Sequence, residues 1–497
     1  TIALSQEIDE ALGMPEAGAA DGVLTIRYRF PDGFGYVMAA CVDGVETSAP
    51  VVSQDRVAVH AVLPRPAVGP VYTIYLAVVT SNDARDPLRA AQENIARARR
   101  LGWDGLRERH RRSWSRFWET SGVEIGDRFL EGLWYFQLYQ LASTCRGRTA
   151  PGLFGLWNIT ASPAWHGDYH GDYNVSMAHW YAFSCNHPEL VEPFIETFSR
   201  MLPEVKRRTR ELYGIDGAKY PIATDPTGFE MTRHWYRMMI CSSGYYAIVF
   251  LWYFRYTLDR EYLARTAFPV LEESTKFYLA LTERGYDGKL HIGPSQAPEQ
   301  GPTPAWDVNN DLALIKPLWE GYLDACRLLG RESPLSRAVA EALAEFPDYP
   351  RTNGRFLDSQ TAAEDLLMAH TGLFAMVYPG GDVDADHRLA EVAARTVDTH
   401  WERTQRRSFT GRRTMSDVQG WVTQALASAR LRRSGKLDEY LVQDGLSEYL
   451  KPNGMITIIS NGIFRTAEAK RAAYEYAPGA GDRKSTRLNS SHGQLSR

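Results

Sequence analysis

The stretch VNNDLALIKPLWEGYLDACRLLG, residues 308–330, reads as one long helix. Asp311 stands near its start, the run Leu312-Ala313-Leu314-Ile315-Lys316 carries it forward, and Gly330 stops it. Asp307, Asn309 and Asp311 imitate the opening of a calcium loop. Leu312, however, holds the place that needs glycine and Leu318 the place that needs glutamate, so the helix reading stands.

Outward from this stretch, nearly everything after Arg128 has helical period. Candidate helices lie near 129–145, 174–187, 189–212, 234–257, 260–283, 308–330, 334–346, 359–371, 384–400, 416–433 and 436–450. Asn186-His187-Pro188, Tyr213-Gly214, Gly285-Tyr286-Asp287-Gly288, Pro347, Gly380-Gly381 and Gly435 punctuate them. About a dozen antiparallel helices without a fixed repeat predict a mainly α chain built around an (α/α)6 barrel. Upstream the pattern is different. Runs at 23–30, 57–62 and 71–79 are β-branched and bounded by Pro and Gly, so they read as part of a β-sandwich. Residues 86–118 turn charged and helical, as a linker helix would.

The predicted organisation is a partial β-sandwich at 1–83, a helical linker at 84–127, a C-terminally incomplete barrel domain at 128–482 and a non-native tail at 483–497. That tail, RKSTRLNSSHGQLSR, is polar and aperiodic. It resembles the translated adapter read-through found at the ends of metagenomic proteins. The chain opens Thr1-Ile2-Ala3 without an initiator Met, so it is expected to begin inside a longer protein.

With 497 residues the chain exceeds one average domain. Its formal charge of −4 gives no footprint for a polyanion, which excludes a nucleic-acid partner. No apolar run is long enough to span a bilayer. The 13 Trp and 26 Tyr suit a carbohydrate cleft and equally a large helical core. Cys41, Cys145, Cys185, Cys241 and Cys326 are scattered and form no CxxC pair, so isolated buried thiols are expected.

Three stretches concentrate chemistry. The first is Trp165-His166-Gly167-Asp168-Tyr169-His170-Gly171-Asp172-Tyr173-Asn174, where polar residues alternate. An extended chain here would put His170, Asp172 and Asn174 on one face, just before a helix. His166 and His170 lack the glutamate a zinc helix needs, so no metal site is expected. The second is Gly293-Pro294-Ser295-Gln296-Ala297-Pro298-Glu299-Gln300-Gly301-Pro302, a stiff loop that presents Glu299 among neutral neighbours. Partial burial there would raise its pKa and suit a general acid. The third is His370 before the Tyr378-Pro379-Gly380 turn. GxSxG elbows, P-loops and GxGxxG turns are missing from the sequence.

In this order the motifs resemble the catalytic region of glycoside hydrolase family 95, the α-L-fucosidase and α-L-galactosidase family, over roughly residues 85–465. Gly155-Leu156-Trp157-Asn158, Tyr169-His170-Gly171-Asp172-Tyr173-Asn174 with Met177 and Trp180, and Pro294-Ser295-Gln296-Ala297-Pro298-Glu299 carry the likeness. So do Asp311-Leu312-Ala313-Leu314-Ile315 with Leu318-Trp319, the stretch from His370 to Gly380, and Gly420-Trp421.

The resemblance implies a β-sandwich, a helical linker and an (α/α)6 barrel. It implies an inverting hydrolysis in which Glu299 protonates the leaving oxygen, while Asn174, assisted from position 172, activates water on the opposite face. By the same likeness His170 and His370 contact the sugar, and Trp157, Asn158 and Trp165 are candidates beside them. Two departures stand out. The family's first Asn of its pair is Asp172 here, which opens direct carboxylate base chemistry or a different sugar. The family's late carboxylate motif is missing, and Glu475 lies where it would begin.

The sequence-based expectation is therefore an exo-acting inverting glycosidase that needs no cofactor and acts on a terminal α-L-fucosyl-like or α-L-galactosyl-like residue. The family favours a periplasmic or secreted location. A phosphorylase or lyase on the same barrel, or a non-catalytic glycan-binding protein, are the alternatives.

Overall fold

The computed structural model describes residues 2–7, 14–31, 33–43, 51–52, 56–61, 72–157, 163–232, 234–298, 302–362, 371–405, 417–446, 450 and 454. The chain divides into two compact units, Thr1–Gly122 and Val123–Arg497.

The first unit is two antiparallel sheets and a helix. Strands β1 (Ile2–Glu7), β5 (Val51–Val52) and β6 (Arg56–Ala61) form one sheet in the order β1-β6-β5. Strands β2 (Glu16–Ala20), β3 (Val23–Arg29), β4 (Gly35–Val42) and β7 (Ile74–Thr80) form the other, in the order β2-β3-β4-β7. Alternation along β3 sends Leu24 and Ile26 to one face, where they meet Val42, Val59 and Ala61. The opposite face, with Val37, Ala39, Cys41, Tyr75 and Val79, is covered by Ala91 and Ile95 of helix α1 (Pro87–Trp118). The helix expected as a linker thus has a packing role: its apolar stripe closes a sheet. Asp86 caps it by accepting from the Arg89 N–H, and Gly102, at φ 62°, kinks it.

The second unit is helical. Its helices are α2 (Arg128–Thr144), α3 (Asn174–Ser184), α4 (Glu192–Tyr213), α5 (Ser242–Thr257), α6 (Arg260–Tyr262), α7 (Phe268–Leu279), α8 (Asn309–Leu329), α9 (Pro334–Ala344), α10 (Ala390–Gln405), α11 (Asp417–Arg430) and α12 (Ser434–Asp438). Every residue of α5 from Ser242 to Leu251 is buried, and so is α8 from Asn309 to Ile315. Helices buried all round belong at the centre of a barrel. The inner elements α3, α5, α8, the short turn at Thr371–Phe374 and α11 pack on one another in succession, while α4, α7, α9, α10 and α12 lie against them. The α4 helix shows the outer pattern: Phe194, Ile195, Phe198, Met201 and Val205 face inward and a charged face looks out. Two-residue strands β8 (Tyr169–His170) and β9 (Ala223–Thr224) pair across the mouth, and β10 (Thr282–Arg284) with β11 (Leu290–Ile292) makes a hairpin before α8.

Several expected spans need correction. The span 234–257 is broken, with a 3-10 turn at His234–Met238 before α5. The span 260–283 passes through a π turn at Leu263–Ala267 and ends as strand β10. Helix 384–400 begins only at Ala390, and 436–450 becomes the short α12 followed by a π turn at Glu439–Leu446. Of the span 359–371, residues 363–370 lie outside the described residues, and the start of the span is a turn. All five cysteines are buried free thiols. No helix among the described residues is long and apolar enough to cross a membrane.

Candidate active site

The site begins with a backbone that turns the wrong way. Trp165, His166 and Gly167 have φ of 50°, 57° and 69°, a left-handed run that ordinary side chains adopt only when held there. It delivers the chain to β8, where Tyr169 pairs with Thr224 and His170 with Ala223. The Trp165 ring stands edge-on to His170 at 6.1 Å, and His170 Nε2 lies 2.9 Å from the Asp168 carboxylate.

The expected extended alternation stops at His170. Gly171 donates its N–H to Ile222 at 2.6 Å and sits where a Cβ would fall 2.7 Å from the Tyr246 hydroxyl and 2.8 Å from the Pro221 carbonyl. Only glycine fits there. Residues 171–173 turn, so Asp172 does not share a strand face with His170 and Asn174. Asp172 is instead driven inward, 2% exposed, and Asn174 opens α3 half-buried. The negative charge of Asp172 is felt by Cys241, Tyr245 and Tyr246, whose pKa values burial has already raised.

The mouth is assembled from helix N-termini. The Tyr173 ring, just before α3, meets that of Tyr245 on α5 at 6.2 Å. The Tyr245 hydroxyl donates to Asn310 Oδ1 on α8 at 2.7 Å, and Gly372 lies directly against Asn310. Positive helix ends gathered in one place favour negative charge there.

The proline-rich loop reaches the same mouth. Ser295 and Ala305 exchange two backbone hydrogen bonds of 2.8 Å, and Ala297 packs with Ala305 and Val308. Ser295 also donates its hydroxyl to Asp311 Oδ2 at 2.6 Å. Burial pushes the Asp311 carboxyl up to about 7 against the opposing pull of the Ser295 bond and the Lys219 charge. Lys219 itself is 3% exposed; its Nζ has no hydrogen-bond partner among the described residues and lies 5.6 Å from the centre of the Tyr213 ring.

Of the residues singled out from sequence, the structure draws Asp172, Asn174, His170 and Trp165 into one neighbourhood. Trp157, 38% exposed, ends a turn tied to it through the Leu153 N–H and the Gly167 carbonyl, 3.3 Å apart. Glu299, Glu475, His370 and Asn158 lie outside the described residues; Glu299 directly follows the buried Pro298. Asp311, Lys219 and Glu230 escaped the sequence reading as functional groups. Glu230 bridges to Thr224, is 7% exposed, and has Arg237 Nε 3.9 Å away. The signal for Asp311 was a lone carboxylate entering an apolar helix; Lys219 and Glu230 have none that sequence displays. Together these groups could hold a polar ligand, move protons and steady developing charge at a barrel mouth.

The family model described as Glycosyl hydrolase family 95 catalytic domain matches residues 105–451. Alpha-L-fucosidase 2 of Arabidopsis thaliana is 28% identical over 235 residues, 44% of this chain and 27% of that protein. Probable alpha-fucosidase A of Aspergillus niger is 30% identical over 199 residues, 37% of this chain and 24% of that one. The match therefore spans about a quarter of the length of these relatives. Among solved structures, a provisionally named kojibiose phosphorylase from human microbiome superposes with a TM-score of 0.64 at 13% identity, covering 88% of this chain and 64% of that one. At that identity the likeness concerns the fold alone, and it bears out the expected (α/α)6 architecture with sheets at the N-terminal end.

Proposed function

Because the chain belongs to glycosyl hydrolase family 95, we propose that it is the catalytic part of an exo-acting, inverting glycoside hydrolase for terminal α-L-fucosyl-like or α-L-galactosyl-like residues. The observation that carries this reading is the convergence at one barrel mouth. Asp172, just before α3, and Asp311 of α8, which accepts the Ser295 hydroxyl of the Pro294–Pro298 loop, both act on Cys241 and Tyr245.

In this reading Glu299 is the general acid for the leaving oxygen. Asn174 and Asp172 hold the attacking water on the far side of the anomeric carbon, and Glu475 is the candidate for the remaining carboxylate. In its ionised form the buried Asp172 carboxylate accepts hydrogen bonds only and can take a proton from water directly, where an amide could only orient it. His170 with Trp165, and His370, Asn158 and Trp157, line the sugar. Acetal hydrolysis by this set needs no cofactor.

A second reading is favoured by the fold neighbour: the same barrel can use phosphate in place of water. Incubating the protein with aryl α-L-fucoside, α-L-galactoside and α-glucoside, with and without inorganic phosphate, separates the two. Free reducing sugar at a rate independent of phosphate supports hydrolysis. Sugar 1-phosphate that appears only with phosphate defeats it.

A further inference from the structure

Ser295 and Asp311 come from different elements, one from the proline-rich loop and one from the first turn of α8. Their side chains meet at 2.6 Å where they are 1% and 2% exposed. We propose that Asp311 is a positioning residue, which sets through Ser295 how the Pro294–Pro298 loop, and hence Glu299, addresses the leaving group. This rests on the general-acid role given to Glu299 above.

The Ser295 backbone is committed to Ala305 in both directions, and its hydroxyl adds a polar tether from the loop to α8, beside the packing of Ala297 on Val308. That hydroxyl has one proton to give. Its acceptors are Asp311 Oδ2 at 2.6 Å and the Met238 carbonyl at 3.4 Å. An ionised Asp311 takes the proton in a charge-assisted bond, roughly twice as strong as a neutral one. A neutral Asp311 donates its own proton to the hydroxyl oxygen and frees Ser295 to turn toward Met238. The loop therefore has a tight and a loose attachment.

The groups that face Asp311 decide between them. Lys219, buried just before β9, favours the ionised form. Cys241 ahead of α5, Tyr245 on α5 and Tyr278 on α7 each feel the charge of Asp311 and remain neutral thiol and phenols. Burial opposes ionisation and leaves Asp311 titrating at about 7, so both attachments are within reach near neutral pH.

The test compares wild type with Ser295→Ala, Ser295→Thr and Asp311→Asn. Hydrogen exchange of the 293–305 peptide, corrected for intrinsic rate, is expected to slow in wild type between pH 6 and 8 as the tether tightens. In Asp311→Asn that pH step vanishes. In Ser295→Ala exchange is at least about tenfold faster at pH 8, Ser295→Thr restores protection, and the 244–251 peptide of α5 is unchanged in all. Exchange of 293–305 identical in all four proteins overturns the proposal, whether or not they turn over a substrate.

The catalytic arm uses methyl and 2-chloro-4-nitrophenyl α-L-fucosides and α-L-galactosides. Ser295→Ala should lower kcat on the methyl glycoside by roughly 10–100-fold with KM nearly unchanged, and barely affect the activated aryl glycoside, which needs no acid. Equal losses on both leaving groups contradict action through the acid. Failure of wild type to cleave either sugar would count against the hydrolase reading, and the exchange data would still decide the tether.

Discussion

Asp358 is 4% exposed, and burial alone pushes its carboxyl up from the usual carboxylate range to about 7. The neutral form is favoured in the fold, so its contribution to stability is complete below the unfolded value near 4 and is lost as pH rises through about 7. Asp358→Asn removes that loss. The variant should match wild type at pH 4 and exceed it by roughly 2–4 kcal/mol at pH 8 in urea unfolding; equal stability at pH 8 would show the charge to be better solvated than its burial indicates.

His179 works in the opposite sense. It is fully buried, with Nδ1 2.8 Å from the Val175 carbonyl, and burial lowers its pKa to about 4. Its contribution is present above about 6.5 and is lost as pH falls toward 4. His179→Gln should flatten the acid limb of the stability profile between these limits, and an unchanged limb would place the loss elsewhere.

At Gly171 the expectation is steric: a methyl group meets two oxygens at under 3 Å, so Gly171→Ala should cost about 1–3 kcal/mol and displace Asp172. A thermal midpoint and turnover equal to wild type would refute this. Residues of this kind are half legible in sequence. The polar alternation of 165–174 marks the stretch, but the turn at Gly171 that breaks it is set by contacts with Pro221, Ile222 and Tyr246, far away in the chain. For the same reason a pattern of alternate residues suggested a shared face that Asp172 does not occupy.

Between elements, the closest approach of the two central helices is made by small residues. A Cβ on Gly244 of α5 would come 2.6 Å from Leu314 of α8, and one on Gly321 of α8 would come 2.6 Å from Leu251 of α5. Helix propensity alone would reward alanine at either place by about 1 kcal/mol. Packing should overrule it: Gly244→Ala and Gly321→Ala are each expected to destabilise by roughly 1–3 kcal/mol. A raised melting temperature in either would mean that α5 and α8 lie farther apart.

Element boundaries are legible where local chemistry ends the helix. Gly214 and Gly330, both left-handed, stop α4 and α8 next to the predicted ends. They are poorly legible where the chain breaks without Gly or Pro, as in 233–243 and 260–267. The 3-10 turn at His234–Met238 and the π turn at Leu263–Ala267 interrupt stretches whose composition carries no stop signal, and the barrel interior decides them.

For the whole molecule, the fold class was accessible because helical period persists over hundreds of residues and needs no knowledge of partners. The site was accessible only in part. Likeness to a family nominates Asp172, Asn174 and Glu299, whereas the contacts of Ser295 with Asp311 and of Tyr245 with Asn310 join distant segments and exist only once the barrel closes. The sugar is the least legible feature, since the sequence matches cover about a quarter of the fucosidase relatives and the fold is shared with a phosphorylase-like protein.

Inversion at a terminal sugar with Glu299 as acid would be read in the anomer first released. Proton NMR during cleavage of α-L-fucosyl and α-L-galactosyl glycosides should show the β-anomer first in wild type. Glu299→Gln should lose at least about a hundredfold in rate on unactivated substrates. Initial release of the α-anomer, or a Glu299→Gln protein as active as wild type on those substrates, would contradict the account.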